Sequence, residues 1–98
     1  MSLSSSQKRY LRGLAHALSP VIMVGNKGLT ASLLGELSNA LDQHELVKVK
    51  LAGDDRDVRK QQIAELADSA KADVVQTIGH VACYFRRNAD EPKIALPK

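Results

Sequence analysis

Apolar residues recur at helical spacing in three stretches of this chain and at alternate positions between them. Leu11, Leu14, Ala15 and Leu18 fall at i, i+3, i+4 and i+7, the stripe of a first helix. Ser4 to Ser6 offer its N-cap. The pattern predicts a helix to about Ser19, because Pro20 pushes the residue before it out of the helical region. Val21–Val24 is a short, wholly apolar run, which reads as a buried strand. Thr30 is placed to cap a second helix, with Leu33, Leu37, Ala40, Leu41 and His44 on one face and Leu34 beside it.

From Glu45 to Ala52 the period changes to two. Val47, Val49 and Leu51 point one way, Lys48 and Lys50 the other, so one face of this strand is wet or bound to something anionic. Gly53-Asp54-Asp55-Arg56-Asp57 reads as a loop and cap for a third helix to about Lys71, striped by Ile63, Leu66, Ala67 and Ala70. Asp73–Ile78 and Val81–Arg87 read as two strands joined by the hairpin turn Gly79-His80. Residues 88–98, with Pro92 and Pro97, read as an extended or partly disordered tail. The order helix–strand–helix–strand–helix–strand–strand predicts an α/β fold with helices packed on a mixed four-stranded sheet. Strands separated by helices run parallel, and the last pair is antiparallel. Ninety-eight residues fit one domain, 1–98.

Composition narrows the picture modestly. A 44% hydrophobic fraction supports a core, and with three aromatic residues (Tyr10, Tyr84, Phe85) that core must be aliphatic. So few aromatics weigh against binding by rows of stacked bases. The lone Cys83 excludes an internal disulfide and fits a reducing cytoplasm. No apolar stretch approaches the roughly 20 residues of a membrane helix. The first eight residues lack the hydrophobic core of a signal peptide. Net charge is +3 and the pI about 9.2. The distribution says more: the first acid is Glu36, whereas Lys8, Arg9, Arg12 and Lys27 precede it. A basic N-terminal third suits a polyanion binder or a merely soluble surface.

The segment Val21-Ile22-Met23-Val24-Gly25-Asn26-Lys27-Gly28-Leu29-Thr30 carries the strongest functional signal. A strand runs into Gly-x-x-Gly with a lysine between the glycines, and a helix follows. Glycine admits close approach of a ligand, and the unpaired amides of a helix start attract anions. Gly-x-x-Gly loops clamp a nucleic-acid backbone in KH domains. A strand-to-helix turn can equally need its glycines for backbone geometry alone. The loop is neither a Walker loop nor a Gly-x-Gly-x-x-Gly dinucleotide fingerprint. Asp54, Asp55 and Asp57 read as capping residues, since a calcium loop would need its glycine and terminal glutamate. His16, His44 and His80 are scattered, and Cys83 reads as core, so no metal ligand set emerges. No acid–base or nucleophile constellation argues for an enzyme. Lys48 and Lys50, Arg86 and Arg87, and Lys8, Arg9 and Arg12 form one phosphate track only if folding brings them together.

Three blocks in order are similar to one known family. Leu11-Arg12-Gly13-Leu14-Ala15-His16, Pro20 through Thr30, and His44-Glu45-Leu46-Val47-Lys48-Val49-Lys50 resemble the CRM domain (chloroplast RNA splicing and ribosome maturation). The length and the closing Lys93-Ile94-Ala95-Leu96-Pro97 resemble its stand-alone bacterial, YhbY-like members. The resemblance implies a compact α/β fold similar to the C-terminal domain of translation initiation factor three. It implies RNA binding with the loop at Gly25–Gly28 at or near the contact. Taken with the missing catalytic constellation and the lone cysteine, the expectation is a non-enzymatic, cytoplasmic RNA-binding protein without a cofactor. Its partner would be large-subunit ribosomal RNA in maturing precursors. On that reading the RNA-contacting residues are Gly25, Asn26, Lys27, Gly28 and Thr30, with Lys8, Arg9, Arg12, Lys48 and Lys50 supplying charge, and the expected state is a monomer. The alternative is a protein-interaction module whose basic surface meets an acidic ribosomal or assembly partner.

Overall fold

Ser4 opens the first helix, α1 (Ser5–Ala15), with a reciprocal capping box. Its hydroxyl accepts the Gln7 amide at 3.1 Å, and Gln7 Oε1 accepts the Ser4 amide at 3.0 Å. The computed structural model describes residues 3–97. Met1, Ser2 and Lys98, the ends of the leader and tail readings above, lie outside the described residues. α1 stops short of the expected Ser19. Its last carbonyls are taken up by a tighter turn, with Ala17 donating to Leu14 at 3.3 Å and Leu18 to Ala15 at 3.0 Å. That turn redirects the chain before Pro20.

The remaining elements are β1 (Ile22–Val24), α2 (Ala31–His44), β2 (Leu46–Leu51), α3 (Arg56–Ala70), β3 (Asp73–Ile78) and β4 (Val81–Phe85). Thr30 and Asp55 cap α2 and α3 as their positions predict: Thr30 Oγ1 accepts from Leu33, and Asp55 Oδ1 from Asp57 and Val58. The strands form one sheet in the order β1-β2-β4-β3. β1 and β2 are parallel, whereas β4 runs antiparallel to both neighbours, β2 and β3. β3 therefore runs in the same direction as β2, one strand away, and α3 crosses over β4 to connect them. A bulge interrupts β3 between Val74 and Gln76.

The alternation in β2 assigns a helix layer to each side of the sheet. Val47, Val49 and Leu51, with Ile22, Val24, Ala82 and Tyr84, meet Leu37 and Leu41 of α2 and Leu66 and Ala70 of α3. Tyr84 is fully buried there, and its hydroxyl donates to the Ile63 carbonyl at 2.9 Å. On the opposite side Leu46, Val75, Cys83 and Phe85 meet Leu11 and Ala15 of α1, with Ile94 and Leu96 of the tail completing the layer.

Two expectations change. β1 is not a buried strand: Ile22 and Val24 are buried, but Met23 between them is 57% exposed and Val21 before them 64%. It is the sheet edge, and α1 does not extend over its outer face. Of the two readings of the tail, the extended one fits the described residues, and the partly disordered one does not. The carboxylate of Glu45 accepts the amides of Asn88 (2.7 Å), Lys93 (2.6 Å) and Ile94 (2.7 Å), which fixes its path.

Candidate nucleic-acid interface

Because β1 and β2 are parallel, both deliver their C-terminal ends to the same end of the sheet. β1 runs there into Gly25–Gly28, a turn closed by the Gly28 amide donating to the Gly25 carbonyl at 3.0 Å. Gly28 has φ +69°, the left-handed region that favours glycine, so turn geometry accounts for it. Gly25 has no such conformation. A Cβ built on it meets nothing within 4 Å, so neither φ nor packing explains why that position lacks a side chain. The amides of Gly25, Asn26 and Lys27 donate to no acceptor among the described residues, and all three residues are exposed. The Gly28 amide is occupied by the turn, so the loop presents three free donors and the Lys27 cation.

The same end carries the β3–β4 hairpin. Leu51 donates to the His80 carbonyl at 2.7 Å, and the His80 ring Nδ1 lies 2.9 Å from the Leu51 carbonyl, tying the hairpin to the end of β2. Lys50 is exposed beside Met23, its register partner in β1. Lys48, one pleat back on the same face, is half-buried and donates through Nζ to the Leu18 carbonyl at 3.1 Å. The structure thus brings Lys50 to the strand end that leads into the glycine turn, and Lys48 to the junction of sheet and α1.

The helix that carries Lys8, Arg9 and Arg12, α1, packs on that face of the sheet. His16, at the helix end, lines a cleft of about 190 Å³ together with Lys48, Gln76 and Val81. Arg12 is one turn before His16, and Lys8 and Arg9 about two turns before it. The start of the helix is held by the tail, Gln7 Nε2 donating to the Pro97 carbonyl at 3.0 Å. Thr30 Oγ1 is committed as an acceptor to the α2 cap, leaving its hydroxyl proton free to donate.

Arg86 and Arg87 do not join this group. They follow the end of β4, which pairs with the beginning of β2, so they sit at the opposite end of the sheet from the glycine turn. Arg86 donates to the Ala70 and Ser38 carbonyls, both at 2.8 Å, and pairs with Asp42 at 2.8 Å, bracing α2 against α3. Arg87 reaches the buried Glu45 at 3.4 Å and the Ile94 carbonyl at 2.6 Å. Cys83 is buried, and burial pushes its thiol up to about 11 against a smaller opposing pull from Lys48, leaving it protonated at neutral pH. No group of three or more acids, histidines and cysteines suited to a metal forms among the described residues. No helix among them is long and apolar enough to cross a membrane. Sequence reasoning missed Met23 and Ile78, exposed apolar residues on the same face as Lys50. Met23 lies directly between the buried Ile22 and Val24, so alternation along β1 turns it to the open face.

A family model described as the CRS1 / YhbY (CRM) domain matches residues 3–86. The chain belongs to this family. Over 97 residues this CRM domain is 48% identical to a Haemophilus influenzae protein named "RNA-binding protein", covering 99% of this chain and 97% of that one. It is 43% identical over 88 residues to the Pseudomonas aeruginosa protein named "Probable RNA-binding protein PA4753", covering 90% and 85% of the two chains. The solution structure of SAV1595 from Staphylococcus aureus matches the CRM domain with a TM-score of 0.83 at 30% identity, over 98% of this chain and 100% of that one. The CRM blocks at Leu11–His16, Pro20–Thr30 and His44–Lys50 all fall inside the matched range.

Proposed function

We propose that this chain binds RNA by clamping its sugar–phosphate backbone at the Gly25–Gly28 turn. The observation that carries the reading is the set of unpaired amides at Gly25, Asn26 and Lys27, beside an exposed lysine and a glycine that the turn does not require. Those amides donate to phosphate oxygens, and the absent side chain at Gly25 lets the backbone approach. Lys27 and Lys50 supply Coulomb attraction near the contact; Lys48, Arg12, Arg9 and Lys8 extend it along the face that α1 shares. Thr30 adds a hydroxyl donor at the start of α2. Family membership and the names of the relatives support RNA as the ligand class. The RNA we assign is large-subunit ribosomal RNA in maturing precursors. The chain acts there as one monomeric, cytoplasmic domain, 1–98, without catalysis or cofactor.

A Gly25→Asp, Lys27→Glu double variant tests the clamp. With the fold intact by circular dichroism, it loses most of its affinity for single-stranded RNA; unchanged affinity contradicts the reading.

A second reading, docking of an acidic assembly partner, is favoured by Leu14 and Leu18, which remain 37% and 39% exposed. They line an apolar cleft of about 460 Å³ with Lys48 at its side. A partner retained after nuclease digestion and lost on Leu14→Asp would support it.

A further inference from the structure

One row of side chains crosses all four strands at the end of the sheet that leads into the glycine turn. Met23 of β1 is registered with Lys50 of β2, Lys50 with Val81 of β4, and Val81 with Ile78 of β3. Directly opposed residues project to the same face of a sheet, so these four form a continuous line. At a strand spacing near 4.8 Å the line is about 14 Å long. Met23 is 57% exposed and Ile78 61%, with Lys50 exposed and Val81 half-buried between them. α1 does not cover it. The helix packs lower on the same face, over Leu46, Cys83 and Phe85; His16 at its end and Pro20 beyond it reach the Val81–Ile78 half of the row only across a cleft of about 190 Å³, and Ile78 stays 61% exposed.

An apolar row left in water is a liability unless something covers it. Two features of the surroundings select the occupant. The only charges in this row and the next, formed by Lys48, Cys83 and Gln76, are the two lysines. The nearest acid in register on this face, Asp73, lies opposite Phe85 at the other end of the sheet. The second feature is position: Met23 precedes Gly25 by two residues, so the row begins where the proposed backbone clamp ends. The occupant must therefore be anionic along its spine and flat and apolar beside it. Unpaired nucleotides meet both requirements. A duplex meets only the first, since its base faces are stacked within the helix and only edges and backbone are presented.

We propose that Met23, Lys50, Val81 and Ile78 form a platform for unpaired bases, so that the ligand is single-stranded rather than duplex RNA. This rests on the clamp reading above. Met23, Val81 and Ile78 cover base faces, and Lys50 meets the phosphates between them. Aliphatic contacts of this kind tolerate any base and read flexibility more than sequence.

The test uses the full chain with a fluorescein-labelled RNA of about 12 nucleotides, alone and annealed to its complement, over a series of salt concentrations. The wild type binds the single strand at least about tenfold more tightly than the duplex. A Met23→Ala, Ile78→Ala variant, changed only at exposed positions, loses about tenfold on the single strand. Its duplex affinity and the slope of log Kd against log salt stay the same, because the phosphate contacts remain. Equal wild-type affinity for the two RNAs, or an unchanged single-strand affinity in the variant, overturns the platform. In either case a Lys27→Glu variant reports separately whether the clamp survives. A wild type that binds neither RNA overturns the clamp and the platform together. Loss of both RNAs alike in the alanine variant also overturns the platform, since base contacts are then not what the row provides.

Discussion

Glu45 Oε1 accepts the amide of Ile94 at 2.7 Å, joining residues 49 positions apart in the chain. Glu45 is fully buried at the junction of α2 and β2, and every partner of its carboxylate comes from the tail or the end of β4. With the carboxylate removed, three amides, of Asn88, Lys93 and Ile94, lose their acceptor. A buried donor left unpaired costs roughly 1–3 kcal/mol. Glu45→Ala is expected to destabilise the fold by about 3 kcal/mol in urea titration and to open the chain after Asn88 to limited proteolysis. A wild-type proteolysis pattern would contradict the clasp.

The same carboxylate makes stability depend on pH. Burial alone raises its pKa, but the amides of Asn88, Ile94 and Lys93 and the Arg87 guanidinium outweigh that effect and hold it below the ordinary value of 4.5. A carboxyl whose folded pKa is depressed stabilises the fold above its unfolded pKa, and the contribution is lost as pH falls through the folded value. Stability should therefore decline below about pH 4.5. Glu45→Gln, which carries no charge to lose, should show a shallower acid limb. Equal acid limbs for the two proteins would contradict this assignment.

The two glycines of the turn separate structure from binding. Gly28 sits at φ +69°, so Gly28→Ala should cost about 1 kcal/mol. Gly25 has open space and no positive φ, so Gly25→Ala should leave stability within about 0.5 kcal/mol. It should nevertheless weaken RNA binding, because its methyl group occupies the phosphate's approach. Thermal melts and anisotropy titrations on the two variants check the pair.

The basic residues divide in the same way. Arg86→Ala removes the brace between Ala70, Ser38 and Asp42 and should cost about 2–3 kcal/mol of stability. It should leave the salt slope of RNA binding unchanged. Lys27→Ala should do the reverse, lowering that slope by about 0.7 for one lost phosphate contact on a single strand.

The sequence made much of this fold legible because local chemistry and tertiary packing agree in it. Ser4, Thr30 and Asp55 cap their helices as their positions predict, and the lysine alternation of β2 separates the two faces of the sheet. The order of strands was not legible, and the misreading of β1 follows from it. Four apolar residues in a row do not reveal whether a strand is central or, like Val21 and Met23, open along an edge. Glu45 was illegible for a different reason. Its partners are backbone amides more than 40 positions downstream, and its φ of 61° closes α2 where a glycine would be the expected signal. Ile94 and Leu96, two residues apart, did carry a period-two hint that the tail packs. The paired arginines after β4 looked like part of a phosphate track, yet their neighbours in space are carbonyls and acids at the far end of the sheet.

The central claim is that RNA meets the glycine-turn end of the sheet. Titration of ¹⁵N-labelled protein with single-stranded RNA, followed by amide chemical shifts, tests it most directly. The account predicts that Gly25, Asn26 and Lys27 move most, Met23, Lys50 and Ile78 next, while Arg86 through Ile94 stay in place. Shifts concentrated at Arg86–Ile94, with Gly25–Lys27 unmoved at saturation, would contradict it.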